Sequence, residues 1–178
     1  FAEMIQLSTH LGVHYLGFSR LVPFGRGASL VKEMLHRETV RSLYTKIFSR
    51  KKNGVRIVTG DPVASQVMRK QKGNDSGTIP LGGCAAGISG ITILSDGTLV
   101  PCRRLPVPVG NIKKDSLREV WAMSEVLNAL RDKSRYRGKC SSCKKWARCR
   151  GCRAIAYAYS ASKGQADILA QDPQCFLN

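Results

Sequence analysis

The sequence has no long apolar run and only three histidines, and it does not begin with methionine. Without an apolar stretch of membrane-spanning length, neither a transmembrane helix nor a signal peptide is expected, and we expect no membrane partner. His10, His14 and His36 lack the spacing of metal ligands and so predict no histidine metal site. Phe1 in place of an initiator Met suggests the C-terminal portion of a longer chain.

Acidic residues are scarce: 12 Asp and Glu stand against 29 Lys and Arg, giving a formal net charge of +17. The stretch Arg131–Arg153 contains ten of the basic residues and a single acid, Asp132. Such a basic segment suggests nucleic acid or an acidic partner. However, it coincides with clustered cysteines and offers no interleaved aromatic platform for bases. A zinc- or cluster-bound nucleic-acid-binding module is therefore an alternative, and nucleic acid is not the expected partner.

No cysteine occurs before residue 84, and seven follow. An odd count in a chain without an export signal does not favour a disulfide framework, although a cysteine-bridged structural domain stays open. Closely spaced thiols in such a chain more often hold metal, which implies a reducing, cytoplasmic compartment.

The cysteine spacing narrows the kind of metal site. Four cysteines form the pattern Cys140-x2-Cys143-x5-Cys149-x2-Cys152, and both zinc and iron–sulfur clusters use Cys-x2-Cys units. The five-residue gap is short for a two-knuckle zinc site, so the spacing favours iron–sulfur, with zinc as the alternative metal. Seven ligands are one short of two four-cysteine sites, so one site should be incomplete. Nearby Lys and Arg would stabilise an anionic cluster.

Apolar periodicity divides the chain into two parts. The first predicts a helix ending at Gly12, a strand over 13–22, a helix over 29–50 and a strand over 54–60, typical of the end of a parallel α/β sheet. Residues 69–83 predict a linker, with a boundary near Gly82. The second part predicts a hairpin turning at Asp96-Gly97, one helix across 115–133 and a short helix over 154–161.

Residues 84–175 resemble the SPASM domain, the C-terminal auxiliary-cluster domain of many radical S-adenosylmethionine (SAM) enzymes. The matching pieces, in the expected order, are "CAAGISGITILSDGTLVPC", "VGNI", "SLREVW", "CSSCKKWARCRGCRAIAY" and "DPQC". "RLVPFGRG" at 20–27 is similar to a loop after a late strand of the radical SAM partial barrel. The resemblance implies an α/β plus α+β fold. Residues 1–82 would be the last strands and helices of a partial (β/α) barrel with the linker. Residues 83–178 would be a SPASM domain of hairpin, helix and cysteine-rich loops.

The resemblance also implies two auxiliary [4Fe–4S] clusters. Cys140, Cys143, Cys149 and Cys175 would hold the first. Cys84, Cys102 and Cys152 would hold the second, which would keep an open iron because residues 73–83 supply no further cysteine.

In the intact enzyme, the family's Cys-x3-Cys-x2-Cys motif binds the cluster that cleaves SAM. This chain lacks that motif and is not expected to cleave SAM alone. SAM and a third [4Fe–4S] cluster are expected in an N-terminal part that the sequence does not contain. The implied enzyme is a radical SAM oxidoreductase or maturase that takes electrons from a ferredoxin or flavodoxin.

The resemblance implies a peptide or protein as the first choice of substrate and a haem-precursor tetrapyrrole as the second. In the implied reaction an auxiliary cluster transfers electrons or binds the substrate. The spacing Cys149-x2-Cys152 and the ending "DPQCFLN" resemble the branch of the family that modifies tetrapyrroles. No acid–base pair can be named from the sequence.

Overall fold

The computed structural model describes residues 1–49, 54–68 and 77–177. Within them the chain is a mixed α/β structure with five α-helices and two small β-sheets, which confirms the mixed class expected from the sequence. None of the helices in these ranges is both long and apolar enough to cross a membrane. Most of the expected linker, residues 69–76, lies outside the described ranges.

A parallel pair of short strands organises the first half. β1 (Tyr15–Gly17) pairs with β2 (Arg56–Val58), and Leu16 lies opposite Ile57. Parallel neighbours need a long crossover, and here it contains α2 (Arg37–Ser49). α1 (Ala2–His10) precedes β1 and ends before Gly12, whose φ of +66° suits glycine. The expected helix–strand–helix–strand order is present, with strands shorter than expected.

The prediction of one continuous helix over 29–50 is wrong in its first part. Gly25–Glu33 forms a 3-10 helix, and the backbone is extended at Met34 (φ −62°, ψ 131°) before α2 begins at Arg37. The Met34 side chain packs against the core of the second half. Tertiary packing at Met34 thus accompanies a break that helical periodicity alone does not reveal.

An antiparallel sheet opens the second half. It contains β3 (Thr92–Ile93), β4 (Thr98–Val100) and β5 (Gly110–Asn111) in sequential order. The hairpin predicted at Asp96-Gly97 is confirmed, because Gly97 has a φ of +93° and Asp96 Oδ1 accepts a hydrogen bond from the Thr98 amide at 2.9 Å.

The single helix predicted across 115–133 is two helices, α3 (Leu117–Met123) and α4 (Glu125–Arg131). Ser116 caps α3 as predicted, since its Oγ accepts from the Glu119 amide at 3.4 Å. Ser124 interrupts the run with an extended backbone, and its Oγ accepts from the Leu127 amide at 3.5 Å. A serine that can satisfy the first amides of a new helix competes with continuation of the old one. α5 (Arg153–Ala161) follows the cysteine-rich loop, within one residue of its predicted start.

Two clusters of buried side chains form the core. The larger one belongs to the second half and includes Leu127, Leu130 and Trp146. The smaller one joins Tyr44 and other residues of α2 to residues of the cysteine-rich loop and the C-terminal tail: Cys149 and Phe176. The two halves therefore share apolar packing next to the cysteines.

A buried ionic network also joins the halves. Arg20, which follows β1, donates to Asp61 at 2.5 and 2.9 Å and to Asp172 at 2.8 Å through two nitrogens. The exposed fractions of these side chains are 5%, 3% and 0%. Tyr44 donates a short hydrogen bond to Asp61, and Gln174 accepts from Arg20. The network ties the end of β1 and the end of β2 to the C-terminal tail.

Burial disfavours the charged forms of Arg20 and Asp172 in this network. It works to lower the pKa of Arg20 and to raise that of Asp172, but their mutual hydrogen bonds and opposite charges outweigh it. As a result the pKa of Arg20 lies above its ordinary value and that of Asp172 below. Arg20 and Asp172 are therefore charged at neutral pH, and each depends on its partners.

Replacing Arg20 with Met should lower the free energy of unfolding by about 3–5 kcal/mol, because two buried carboxylates lose their cation. Chemical denaturation at neutral pH would measure it. Arg37→Met is the matched control, since Arg37 pairs with Glu38 at the surface, with exposed fractions of 51% and 69%. The control should change stability by at most about 1 kcal/mol. Equal effects of the two substitutions would contradict a structural role for the buried network.

At acidic pH the free energies of unfolding of Arg20→Met and of the unmodified protein should become equal. The depressed pKa of Asp172 contributes stability that is present above the ordinary aspartate pKa, about 3.9, and is lost as pH falls through the folded value. Protonation also relieves the unpaired carboxylates of the variant, so the two unfolding curves should converge on acidification. If the difference in free energy of unfolding between the two proteins stayed constant until acid unfolds them, the stability would not come from the ionised Asp172.

Candidate metal centre

Four cysteines line one pocket at the junction of the two core clusters. They are Cys140, Cys143, Cys149 and Cys175. Cys140 ends a 3-10 turn, and the amide of Cys143 donates to its carbonyl at 3.3 Å, so the Cys-x2-Cys segment turns back on itself. Cys175 comes from the C-terminal tail, where its amide donates to the carbonyl of Asp172 at 3.0 Å. The predicted first group of ligands is thus brought together around a single pocket.

N–H groups point at the sulfurs of this pocket. Gln66, at the end of the 3-10 helix Pro62–Gln66, donates from Nε2 to both Cys149 Sγ and Cys175 Sγ at 3.4 Å. The backbone amides of Lys145 and Gly151 donate to Cys143 Sγ at 3.3 Å and to Cys149 Sγ at 3.4 Å. Hydrogen bonds of this kind stabilise thiolates and set the potential of iron–sulfur clusters.

The tight turn after Cys149 depends on unusual backbone angles. Arg150 and Gly151 both have positive φ, 58° and 60°, and Arg150 is the only described non-glycine residue in this region of backbone space. A Cβ on Gly151 would lie 2.5 Å from Cβ of Asp172. The positive φ and the lack of space for a Cβ both require glycine at position 151, in the two-residue connection between Cys149 and Cys152.

The other three cysteines lie outside this pocket. Cys152 is buried at the start of α5, and its amide donates to Asp172 Oδ2 at 2.8 Å. Cys84 lies beside the cysteine-rich loop, since its amide donates to the carbonyl of Cys149 at 3.3 Å. Cys102 follows β4, and Cys84 and Cys102 both pack against the core cluster that contains Cys152. Cys149 lines the pocket and Cys152 does not, and the division of the ligands between two clusters stays a prediction.

All seven cysteines, which lie within the described residues, are free thiols. Within the described parts of the chain, no three cysteine, histidine or carboxylate side chains converge closely enough to hold one metal ion. The four thiols around the pocket are therefore spread more widely than a single tetrahedral zinc ion requires.

Burial favours the protonated form of three of the thiols, Cys140, Cys149 and Cys152. Desolvation raises the pKa of Cys140 to about 11 and that of Cys152 to about 12, and it also raises the pKa of Cys149. Thiolates are the species that bind metal, so loading this site must displace protons.

Buried arginines surround the thiols without carboxylate partners. The exposed fractions of Arg150 and Arg153 are 2% and 1%, and neither forms an ion pair with an acidic side chain of the described chain. Arg150 donates to the backbone carbonyls of Gly82 and Cys84, whereas Nε and one terminal nitrogen of Arg153 have no hydrogen-bond partner. Burial of a cation without a counter-charge is costly, so the site calls for negative charge among the thiols.

Sequence reasoning missed several residues of this site. Arg20, Asp61 and Gln66 are far from the cysteines in sequence, and no local motif indicates them. Asp172 lies in the "DPQC" segment already noted, where its fixed offset from Cys175 could have suggested a turn-forming role. Trp146 is a core residue packed edge-on against Tyr136 at 5.5 Å between ring centroids.

Gly151→Ala should damage the site more than an equivalent glycine substitution elsewhere. The control is Gly164→Ala, since Gly164 has a φ of +84° but nothing within 4 Å of its added Cβ. Both variants suffer strain of about 1–2 kcal/mol from positive φ. Only Gly151→Ala adds a clash with Asp172 and should displace the Cys149–Cys152 turn. Metal content and chemical denaturation would measure both effects, and equal losses in the two variants would refute the steric argument.

Comparison with known proteins gives two kinds of match. A family model described as SPASM, an iron–sulfur cluster-binding domain, matches residues 84–153. The chain is 31% identical to an "AdoMet-dependent heme synthase" of Methanosarcina barkeri, over 97% of this chain and 51% of the relative. Relatives of the same name from Oleidesulfovibrio alaskensis and Nitratidesulfovibrio vulgaris are 28% and 26% identical over 98% of this chain.

The chain spans about half the length of these curated relatives. The SPASM match covers the hairpin, α3, α4 and six of the seven cysteines, and it ends 22 residues before Cys175. Residues 84–153 are a SPASM iron–sulfur cluster-binding domain, and the chain is similar along nearly its whole length to AdoMet-dependent heme synthases.

Proposed function

We propose that this chain is the C-terminal part of a radical SAM oxidoreductase in which auxiliary iron–sulfur clusters serve the modification of a haem-precursor tetrapyrrole. The observation that carries the proposal is a pocket lined by four thiols, with amide donors aimed at their sulfurs, in a chain that aligns along nearly its whole length with haem synthases. The names of these relatives favour a tetrapyrrole over the peptide or protein substrate that the SPASM domain would equally suit.

The residues around the pocket fit a [4Fe–4S] cluster. Soft thiolate ligands suit iron–sulfur clusters, and their wide spread suits several irons better than one zinc ion. The uncompensated charge of Arg150 and Arg153 would be balanced by an anionic cluster. Cys140, Cys143, Cys149 and Cys175 would hold this cluster. When bound, such a group supplies one-electron transfer, while the surrounding apolar side chains exclude water.

A second cluster would be held by Cys84, Cys102 and Cys152. With three protein ligands it would keep an open iron, where water, the substrate or another residue could bind. The support is the hydrogen bond from the Cys84 amide to the carbonyl of Cys149, three residues before Cys152, and the shared core around all three thiols.

The rest of the enzyme belongs to the proposal as well. The parallel β1–α2–β2 unit would be the end of the radical SAM partial barrel, within a first domain of residues 1–82, and residues 83–178 would form the SPASM domain. SAM and a third [4Fe–4S] cluster would be bound by residues outside this sequence, because it contains no Cys-x3-Cys-x2-Cys motif. A ferredoxin or flavodoxin would supply electrons, and seven free thiols agree with a reducing, cytoplasmic compartment.

The nucleic-acid alternative loses support from the orientation of the basic residues. Arg131, Arg150 and Arg153 lie in the basic stretch, but each donates hydrogen bonds to backbone carbonyls inside the protein. A binding surface for phosphates requires guanidinium groups that reach solvent.

Iron and acid-labile sulfide in the anaerobically prepared whole protein would test the two clusters. Cys140→Ser should remove about four iron and four sulfide per chain, Cys102→Ser should do the same, and the double variant should lose about eight. Ser141→Ala, a change beside Cys140 that leaves every thiol in place, should lose none. Zinc without sulfide at these cysteines would reject the clusters, and loss of all eight iron with one substitution would reject two separate sites.

Gln66→Leu should make the reduction potential of the first cluster more negative. Two N–H···S hydrogen bonds, which favour the more negatively charged reduced state, would be lost. The expected shift is on the order of tens of millivolts, since a hydrogen bond contributes about 1 kcal/mol and 59 mV corresponds to a tenfold change for one electron. A redox titration followed by electron paramagnetic resonance would measure it.

Gln171→Leu is the control for this shift. Gln171 lies on the same C-terminal tail, but its side-chain carbonyl accepts from the Lys139 amide. The control should leave the potential unchanged. Equal shifts in both variants would point to a general disturbance of the tail instead of the two Gln66 hydrogen bonds.

A further inference from the structure

A cavity of about 620 Å³ lies between the segment that follows β1 and the loop that follows β4. The first wall is formed by residues 19–24, at the carboxyl end of a parallel strand, the end at which α/β proteins bind their ligands. The second wall contains Arg103 and Arg104, which come directly after Cys102. The cavity therefore adjoins a cysteine assigned above to the second cluster.

A tight turn presents the two arginines. The Leu105 amide donates to the carbonyl of Cys102 at 2.8 Å, so Arg103 and Arg104 occupy the two central positions of a four-residue turn. Arg103 is exposed and Arg104 is half-buried. Nε of Arg104 is buried and has no hydrogen-bond partner. Neither side chain forms an ion pair with an acidic residue of the described chain.

The third arginine of the cavity is not available to a ligand. Arg20 is held by Asp61 and Asp172, and its side chain is only 5% exposed. The free positive charge of the cavity therefore comes from Arg103 and Arg104 alone among the residues that line it.

The opposite wall is apolar. Leu21 and Val22 are half-buried, and the ring of Phe24 is 47% exposed. Exposed aromatic and aliphatic side chains facing a cavity favour a flat apolar ligand. The cavity thus combines an apolar wall with two unpaired guanidinium groups.

We infer that Arg103 and Arg104 bind carboxylate groups at the rim of the substrate while the apolar wall receives its ring. The inference rests on the proposed function, because a tetrapyrrole with acidic side chains is the planar, carboxylate-bearing substrate that this cavity suits. A guanidinium group binds a carboxylate through two parallel hydrogen bonds, which fixes orientation as well as position. The two arginines would therefore orient the substrate beside the Cys102 end of the second cluster.

Binding of a porphyrin with four carboxylates to the whole, cluster-loaded protein would test the inference under anaerobic conditions. The double variant Arg103→Gln/Arg104→Gln should raise its Kd at least tenfold, and Arg103→Lys/Arg104→Lys should recover part of the loss. The matched control, Lys113→Gln/Lys114→Gln, removes the same charge from exposed residues of another loop and should change Kd less than twofold. The tetra-amide of the same porphyrin should bind all variants alike. Iron content and thermal unfolding would confirm that each variant is intact.

The outcomes separate the inference from the proposed function. Equal weakening by the arginine and lysine double variants, or none by either, would overturn the role of the arginines while porphyrin binding itself still supports a tetrapyrrole enzyme. If the unmodified protein binds a glutamate-rich peptide and not the porphyrin, and binding depends on Arg103 and Arg104, the carboxylate site stands and the tetrapyrrole function fails. Binding of neither probe would overturn both.

Discussion

The buried ion pairs of Arg20 are the interaction on which the arrangement of this protein depends. One guanidinium group connects the segment after β1, the segment after β2 and the C-terminal tail through Asp61 and Asp172. Desolvation makes each isolated charge costly, so the three side chains tolerate little displacement. Asp172 also accepts from the Cys152 amide and precedes Cys175 by three residues. The positions of two proposed ligands therefore depend on a cation from the other half of the chain.

Charge also links the thiols to the fold. Arg150 and Arg153 lie buried beside thiols whose pKa values burial has raised, so the cluster-free site has cations without counter-charges and thiols that stay neutral. Deprotonation of the thiols on loading would correct both conditions at once. The unfavourable burial of these cations without counter-charges lies within the core. Occupancy of the site and stability of the second half are therefore expected to be coupled. This coupling explains why two cations of the basic stretch, Arg150 and Arg153, lie inside the protein.

Local signals in the sequence were sufficient for local features. The glycine at 97 indicated the hairpin, Ser116 indicated the start of α3, and the Cys-x2-Cys spacing indicated the turn at Cys140. Periodicity failed at Ser124 and Met34, where a competing cap and a tertiary contact break helices whose apolar pattern continues. The role of Gln66 could not be predicted from the sequence, for a different reason. Its contact with Cys149 spans 83 positions, and only the folded chain brings the two together. Family resemblance, and not spacing, grouped Cys175 with the quartet.

The cysteine-rich loop packs against both core clusters, so the two halves of the chain are coupled through it. Cys149 packs with α2 of the first half, whereas Cys140 and Cys152 pack with α4 and α5 of the second. A boundary near Gly82 would divide the sequence by composition, but the hydrogen bonds from Gln66 and Arg20 cross it. A shift of the β1–β2 unit would therefore be transmitted directly to the sulfurs of Cys149 and Cys175. The same unit forms one wall of the cavity that contains Arg103 and Arg104. Substrate contact on that wall and the environment of the thiols are thus joined through Arg20, which lines the cavity and donates to Asp172 at the thiol pocket.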